Sequence, residues 1–169
     1  MTTTATTTAQ PPRTLIPAPQ RSVRATAVEH DDRNDWSDWS ELIAAVRESG
    51  RYPTTAEAER VTRTVLSELG SRLTGDERAA LARALPAKAA ALIESRTPAP
   101  RPHSAREFVE AVATRIEGAT PATARWHAGS VLGALPPLIG DTLTDRILTQ
   151  LPPGYALLFG RAELAARTA

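Results

Sequence analysis

The sequence feature that most constrains the fold is an internal repeat. Shifted by about 66 residues, the chain aligns with itself without a gap, with about 13 identities over roughly 53 positions. The identities include Glu41 with Glu107, Val65 and Leu66 with Val131 and Leu132, and Leu85-Pro86 with Leu151-Pro152. Apolar residues, helix caps and the Leu-Pro step stay in register together, which a chance alignment would not produce. The sequence therefore predicts two copies of one structural unit.

Each copy is predicted to form three helices and a short fourth element, because apolar residues recur every three to four positions between helix start and stop signals. In the first copy these signals are Gly50, Thr54 with Glu57, Gly70, Thr74 with Glu77, and Pro86 before a short helix from Ala87 to Glu94. In the second copy they are Ser104 with Glu107, Thr120-Pro121, Pro136-Pro137, Asp141, and Pro152-Pro153 before a closing turn at Tyr155, Leu157, Leu158 and Phe159. The predicted fold class is all-α.

The domain organisation follows from what each copy can bury. Aromatic residues make up only 4% of the chain, so the core must be built of Ala, Leu, Val and Ile. Neither copy can cover its apolar faces alone, so we expect a duplicated three-helix repeat packed as a six-helix bundle, plus short helices, around one core. The predicted domain covers residues 36–160, as repeats 36–94 and 104–160 joined by a Pro-rich connector at 95–103. A frayed tail is expected at 161–169.

Residues 1–35 differ in composition from everything after them. They are rich in Thr, Pro and Ala without apolar periodicity, so a disordered N-terminal tail is predicted. The tail has no signal-peptide apolar run, and the chain has no cysteine; both fit a cytoplasmic protein. Leu15 and Ile16 form an apolar pair within RTLIPAP. The pair is interpreted either as part of a solvated tail or as a docking segment for a partner.

Two tryptophans, Trp36 and Trp39, lie in the acidic stretch EHDDRNDWSDWSE. A calcium loop does not fit this stretch, because neither Asp31 nor Asp32 as the first ligand gives the glycine and the final glutamate that the loop needs. The tryptophans instead share one face of a helix with Ile43, at spacings of three to four. They are interpreted as core residues or as partner-facing anchors.

The sequence offers no catalytic, cofactor or metal site. Its three histidines are His30 in the acidic stretch, His103 in the connector and His127 in a predicted helix. His127 aligns with Val61 of the first copy, so it reads as a core or boundary residue. No histidine pair has helical spacing, there is no cysteine, and no glycine-rich phosphate loop occurs. We therefore expect a protein that is not an enzyme and needs no cofactor.

Binding to nucleic acid is the alternative that the charge pattern raises. The arginines that could serve it are Arg60, Arg63, Arg72, Arg78, Arg83, Arg96, Arg101 and Arg106. Glutamates and aspartates such as Glu57, Glu59 and Glu68 alternate with the first group, which is typical of an ordinary solvated helix surface. Nucleic-acid binding is therefore not favoured. A membrane span is also not expected, because the longest apolar run, VLGALPPLIG, is short and contains two prolines.

The order of these motifs resembles a known family. An Ala-rich helix with Val-Leu, then Leu, a turn, a helix and Leu-Pro is followed by Arg106-Glu107-Phe108 and a second Val-Leu to Leu-Pro series. This order, from about Tyr52 to Phe159, resembles the bacterial domain of unknown function 2267 family. The segment AAALIES at 89–95 departs from an aromatic-rich stretch in the family's pattern. The resemblance implies a small cytoplasmic helical bundle, sometimes found beside stress-associated regulatory domains, and no activity, cofactor or catalytic residue.

The sequence supports two hypotheses about function. The leading hypothesis is a non-enzymatic, stress-associated helical module that binds a protein partner or a second copy of itself, with Leu15, Ile16, Trp36 and Trp39 as candidate contacts. The alternative is a nucleic-acid-associated stress protein that uses the Arg-rich first repeat and connector. The two differ in salt dependence, because phosphate contacts weaken steeply with salt whereas an apolar protein interface responds little.

Overall fold

The computed structural model describes residues 38–161, which contain helices and no β-strand. The helices are α1 (38–50), α2 (Thr55–Gly70), α3 (Gly75–Ala84), α4 (Ala87–Glu94), α5 (Ala105–Arg115), α6 (Pro121–Leu132), α7 (Pro136–Ile139), α8 (Asp141–Gln150) and α9 (Tyr155–Leu158). The predicted all-α class is therefore confirmed. The predictions for the tail, including Leu15, Ile16 and Trp36, and for residues 162–169 lie outside the described residues.

Local capping chemistry sets several helix starts as predicted. The Thr54 hydroxyl accepts a hydrogen bond from the Glu57 backbone N–H and begins α2. Ser104 and Glu107 form a reciprocal capping box at the start of α5. Such caps satisfy backbone donors that a helix otherwise leaves unpaired, so their positions can be read from sequence alone.

The start of α3 departs from the prediction. The Thr74 hydroxyl makes no capping bond there. Instead, the side chain of Gln150 at the end of α8 holds this turn: its Oε1 accepts from Thr74 N at 3.0 Å, and its Nε2 donates to Thr74 O at 3.2 Å and to Glu77 Oε2 at 3.3 Å. A residue 76 positions away in sequence thus replaces the expected local cap.

Two further predictions about the second half were wrong. The Pro136-Pro137 pair does not end the preceding helix, since α6 stops at Leu132 and the prolines open α7, where a first-turn proline loses no helical hydrogen bond. Asp141 does not cap α8 either. Gly140, with φ at 85°, is the capping position, and the Asp141 carboxylate pairs with Arg161.

Buried apolar residues from both halves of the described chain form one cluster. Leu66 on α2 and Leu132 on α6 are both fully buried in it, together with Phe108 on α5. Helix α2 is the central element, because it packs against α4, α5 and α6. The described helices therefore share one core, and a disturbance in either half reaches the other.

Helix starts follow the spacing of the internal repeat. Helix α2 begins at residue 55 and α6 at 121, and α3 begins at 75 and α8 at 141, so both pairs lie 66 residues apart. The short helix α7 interrupts the correspondence, since residues 71–73 of the first half form a turn instead. The duplication itself stays a prediction.

Candidate functional site

A groove with an apolar lining runs between α5, α6 and α9. It consists of a cavity of about 560 Å³, whose lining includes Arg106, Val109, Glu110, Ala122, Arg125 and Leu157. A second cavity of about 380 Å³ shares Ala122, Arg125 and Leu157 with the first and extends to Ser49 and Trp126. We call the two together the α5–α6–α9 groove. Its size and apolar lining are those of a site for a ligand or for the side chains of a partner.

Two large apolar side chains are exposed at this groove. Trp126 is 55% exposed and Leu157 is 50% exposed. Single exposed apolar residues are ordinary on protein surfaces, but two exposed ones that line the same cavity are typical of binding sites. Tryptophan in particular carries a large share of the binding energy at protein interfaces.

Trp126 is held in position although half of it is exposed. Its indole N–H donates to the Gly50 carbonyl at the end of α1 over 3.2 Å. Glycine is required there, since a Cβ atom on Gly50 would lie 2.2 Å from Cε2 of Tyr52. The ring is therefore oriented before any partner arrives, which lowers the entropy cost of binding.

The charged residues of the groove carry a net positive charge. Arg106 and Glu110 pair across one turn of α5 at 2.9 Å. Arg125 on α6 makes no ion pair with any of the described residues. With two arginines and one glutamate in its lining, the groove attracts carboxylates at the ends of an apolar ligand.

Sequence reasoning did not single out this groove, although the repeat contains a signal for it. Under the 66-residue shift, Trp126 aligns with Arg60 and Leu157 aligns with Ala91. Both Arg60 and Ala91 are exposed in the structure. A large apolar residue in one copy that aligns with an exposed polar or small residue in the other indicates a surface that is apolar in one copy only.

The residues predicted to contact a partner lie elsewhere. Trp39 is 3% exposed and belongs to the core, in agreement with the core interpretation, and the Arg63 guanidinium lies 5.6 Å from its ring centre. Trp36, Leu15 and Ile16 lie outside the described residues. Within residues 38–161, the exposed partner-facing candidates are Trp126 and Leu157 instead.

His127 lies at the boundary of the core, as its alignment with Val61 predicted. Its Nδ1 lies 2.8 Å from the Tyr52 hydroxyl, and the two rings stack with centres 5.6 Å apart. Burial lowers the pKa of His127 below its ordinary value, the Glu57 carboxylate opposes this shift, and the Arg60 guanidinium adds to it. Burial likewise raises the pKa of Tyr52.

A buried charge cluster is the second feature that sequence reasoning missed. Glu68 and Arg72 were assigned to a mixed, solvated surface, but their side chains are only 6% and 7% exposed. Arg72 Nη2 lies 2.6 Å from Glu68 Oε1, while Arg115 Nε and Arg96 Nη2 lie 3.3 Å and 3.8 Å from Glu68 Oε2. One carboxylate therefore faces three guanidinium groups and ties α2 to α5 and to the connector.

Two other features are absent from residues 38–161. No three His, Cys, Asp or Glu side chains between residues 38 and 161 lie close enough together to hold a metal ion. Over the same residues, no helix has both the length and the apolar character that a membrane crossing requires.

A search of curated proteins gave no match to the chain. A family described as "Uncharacterized conserved protein (DUF2267)" matches residues 39–158. This range begins earlier than the resemblance predicted from the motifs, so it includes most of α1. Both ranges contain the groove residues Trp126 and Leu157. Since the match covers well over half of the sequence, the chain belongs to the DUF2267 family of uncharacterized conserved proteins.

Proposed function

We propose that this protein is a non-enzymatic helical interaction module that binds a segment of a partner protein in the α5–α6–α9 groove. The observation that carries the proposal is the joint exposure of Trp126 and Leu157, which both line the cavity of about 380 Å³, while Leu157 also lines the cavity of about 560 Å³. A monomeric soluble protein gains nothing from leaving such side chains in water, whereas a docked apolar segment would cover both. The proposal places the module in the bacterial cytoplasm, in line with the family resemblance and the arginine-rich composition.

The partner segment is defined by the chemistry of the groove. Helices α5, α6 and α9 contribute the lining of the larger, mainly apolar cavity, and a lining built from three helices suits the apolar face of an amphipathic helix. Arg125 lacks an ion-pair partner among the described residues, and Arg106 forms an ion pair with Glu110. The best occupant is therefore an amphipathic helical segment with Leu- or aromatic-type side chains along one face and carboxylates beside them.

The nucleic-acid alternative has less support. Of the arginines that would serve it, the side chains of Arg63, Arg72, Arg96, Arg101 and Arg106 are each paired with a glutamate. Arg78 donates to backbone carbonyls at the end of α4. Each of these glutamates offsets the charge of the arginine that it pairs with, so the paired arginines offer little net positive charge to a long phosphate backbone.

Selection from a peptide library tests the proposal directly. The probe is a phage-displayed library of random peptides of about 16 residues, long enough for four helical turns. We expect the selected peptides to combine an apolar helical stripe with Asp or Glu, and to lose binding to a Leu157→Ser, Arg125→Glu double variant. Random sequences without that pattern, or peptides that bind the double variant as well as the natural protein, would contradict the proposal.

The structure supplies a matched control for this experiment. Leu138 on α7 is 45% exposed and does not line the groove, so Leu138→Ser removes a similar apolar surface elsewhere. Arg83→Glu reverses an exposed charge on α3 in the same way. The Leu138→Ser, Arg83→Glu double variant should bind the selected peptides like the natural protein. Equal losses in both double variants would point to a general surface effect and would count against the groove.

A further inference from the structure

A smaller cavity of about 220 Å³ lies on another part of the molecule, where the segment between α4 and α5 crosses the ends of α2 and α8. Its lining includes Ser71, Arg72, Arg101, His103 and Gln150. It shares no lining residue with the α5–α6–α9 groove. Its lining combines proline and leucine side chains with the basic residues Arg72, Arg101 and His103, so it favours a different kind of ligand from the groove.

The wall of this cavity is fixed by hydrogen bonds. The Ala99 N–H donates to the Ser71 carbonyl at 2.8 Å and attaches the connector to the end of α2. The Tyr155 hydroxyl donates to the His103 carbonyl at 3.2 Å. Arg101 pairs with Glu107 at 2.9 Å. The residues that face the cavity are therefore held in place before a ligand binds.

Two nitrogen atoms at the cavity have no hydrogen-bond partner among the described residues: Arg72 Nε and His103 Nδ1. Both are buried, and the whole Arg72 side chain is only 7% exposed. A buried guanidinium N–H without an acceptor is unfavourable, so an acceptor bound in the cavity would stabilise this arrangement.

Two backbone carbonyls and one carboxylate near the end of α2 already accept hydrogen bonds or ion pairs. The Glu68 carbonyl accepts from the Ser71 hydroxyl, and the Ser71 carbonyl accepts from Ala99. The Glu68 carboxylate is shared by Arg72, Arg96 and Arg115. This leaves an excess of positive charge beside the cavity, which favours an anion over a neutral acceptor.

We propose that this cavity binds a phosphate group, either as free orthophosphate or as part of a small phosphorylated metabolite. Arg72 and His103 donate to its oxygens from the buried wall, and Arg101, whose side chain is 64% exposed, contacts it at the mouth. Arginine forks and imidazole N–H groups match the oxygens of such an anion, and a doubly charged one best offsets the three arginines around Glu68.

Titration of the full chain with orthophosphate at constant ionic strength, followed by ¹⁵N-edited NMR, tests this inference. We expect saturable shifts of the Arg72 Nε–H signal and of the backbone amides of 71–74 and 99–103. Glycerol 3-phosphate is the second ligand: tighter binding than orthophosphate identifies a metabolite as the source of the group, and weaker binding identifies the free ion. Shifts that grow linearly, or that sodium chloride reproduces, would overturn the proposal.

Variants that leave the buried ion pair between Glu68 and Arg72 intact make the test specific. His103→Gln should weaken phosphate binding about tenfold and Arg101→Gln several-fold, as expected for the loss of one charged hydrogen bond at a buried and at an exposed position. Arg106→Gln is the matched control, because Arg106 is also exposed and paired with a glutamate but lies outside the cavity. It should leave the affinity unchanged. An equal loss for Arg101→Gln and Arg106→Gln would contradict a built site.

Discussion

Arg115 Nε lies 3.3 Å from Glu68 Oε2, so a partly exposed guanidinium of α5 meets a buried carboxylate of α2. Glu68 is 6% exposed, and Arg72 shares it from the next turn of α2 at 2.6 Å. A carboxylate at such a depth is stable only because it is paired, and removing it would leave cations without compensation. The position of α5 against α2 therefore depends on this cluster.

Replacing Glu68 by Gln should lower the free energy of unfolding by about 3 kcal/mol, the usual effect of removing one member of a buried ion pair. Glu59→Gln is the matched control, because Glu59 pairs with Arg63 on the exposed face of the same helix at 2.7 Å. That change should cost less than about 0.5 kcal/mol. Urea unfolding of both variants makes the comparison. Equal effects would mean that the Glu68 cluster is solvated.

Much of the fold could be predicted from sequence because its signals are local. Thr54 and Ser104 begin helices by contacts within one turn, and Pro86 leads into α4 at the predicted residue. The misses arise from contacts distant in sequence. Glu68 and Arg72 have the spacing of a surface pair, and only the crossing of α5 and the connector buries them.

The candidate groove was missed for a related reason. Exposed apolar residues cannot be told from core residues by helical periodicity, which reports only that a residue is apolar. Leu157 was grouped with Leu158 and Phe159 in the closing turn, yet Leu157 is half exposed while the other two are buried. The difference is set by how α9 lies against α6, which is a tertiary relationship.

Substituting Leu66 or Leu132 by Asp should unfold the whole described domain. Both side chains are fully buried in the one core cluster, and an unpaired buried carboxylate costs several kcal/mol, a large part of the stability of a domain of this size. Circular dichroism during heating should show no cooperative transition for either variant. Leu138→Asp, at a 45% exposed position, should melt like the natural protein. A retained partial transition in the Leu132 variant would show that the first half folds independently.

Gln150→Ala should lower the free energy of unfolding by about 1 kcal/mol, because the α3 start then loses the amide that bonds both Thr74 and Glu77. Thr149→Ala is the neighbouring control, since the Thr149 hydroxyl bonds only within α8. Thermal unfolding of the two variants should place the midpoint of Gln150→Ala clearly lower. A reversed order would mean that the contact between α3 and α8 adds nothing to stability.

The final prediction concerns pH and the contact between Tyr52 and His127. Burial holds the pKa of His127 below its ordinary value of 6.5, while Glu57 opposes this shift and Arg60 adds to it. At a pH between the folded and unfolded pKa values, the unfolded chain binds more protons than the folded one. The stability that His127 contributes is therefore present above about pH 6.5 and is lost as the pH falls through that value towards the folded pKa.

The hydrogen bond at 2.8 Å gives this dependence a structural cause, because a neutral Nδ1 can accept from the Tyr52 hydroxyl and a protonated one cannot. Between about pH 7.5 and about pH 5.5, the melting midpoint of His127→Gln should fall less than that of the natural protein. Tyr52→Phe keeps the stacked ring and removes the hydroxyl, so its pH dependence should lie between the two. If His127→Gln melts with the same pH dependence as the natural protein, then the protons are taken up elsewhere and the Tyr52–His127 pair does not sense pH.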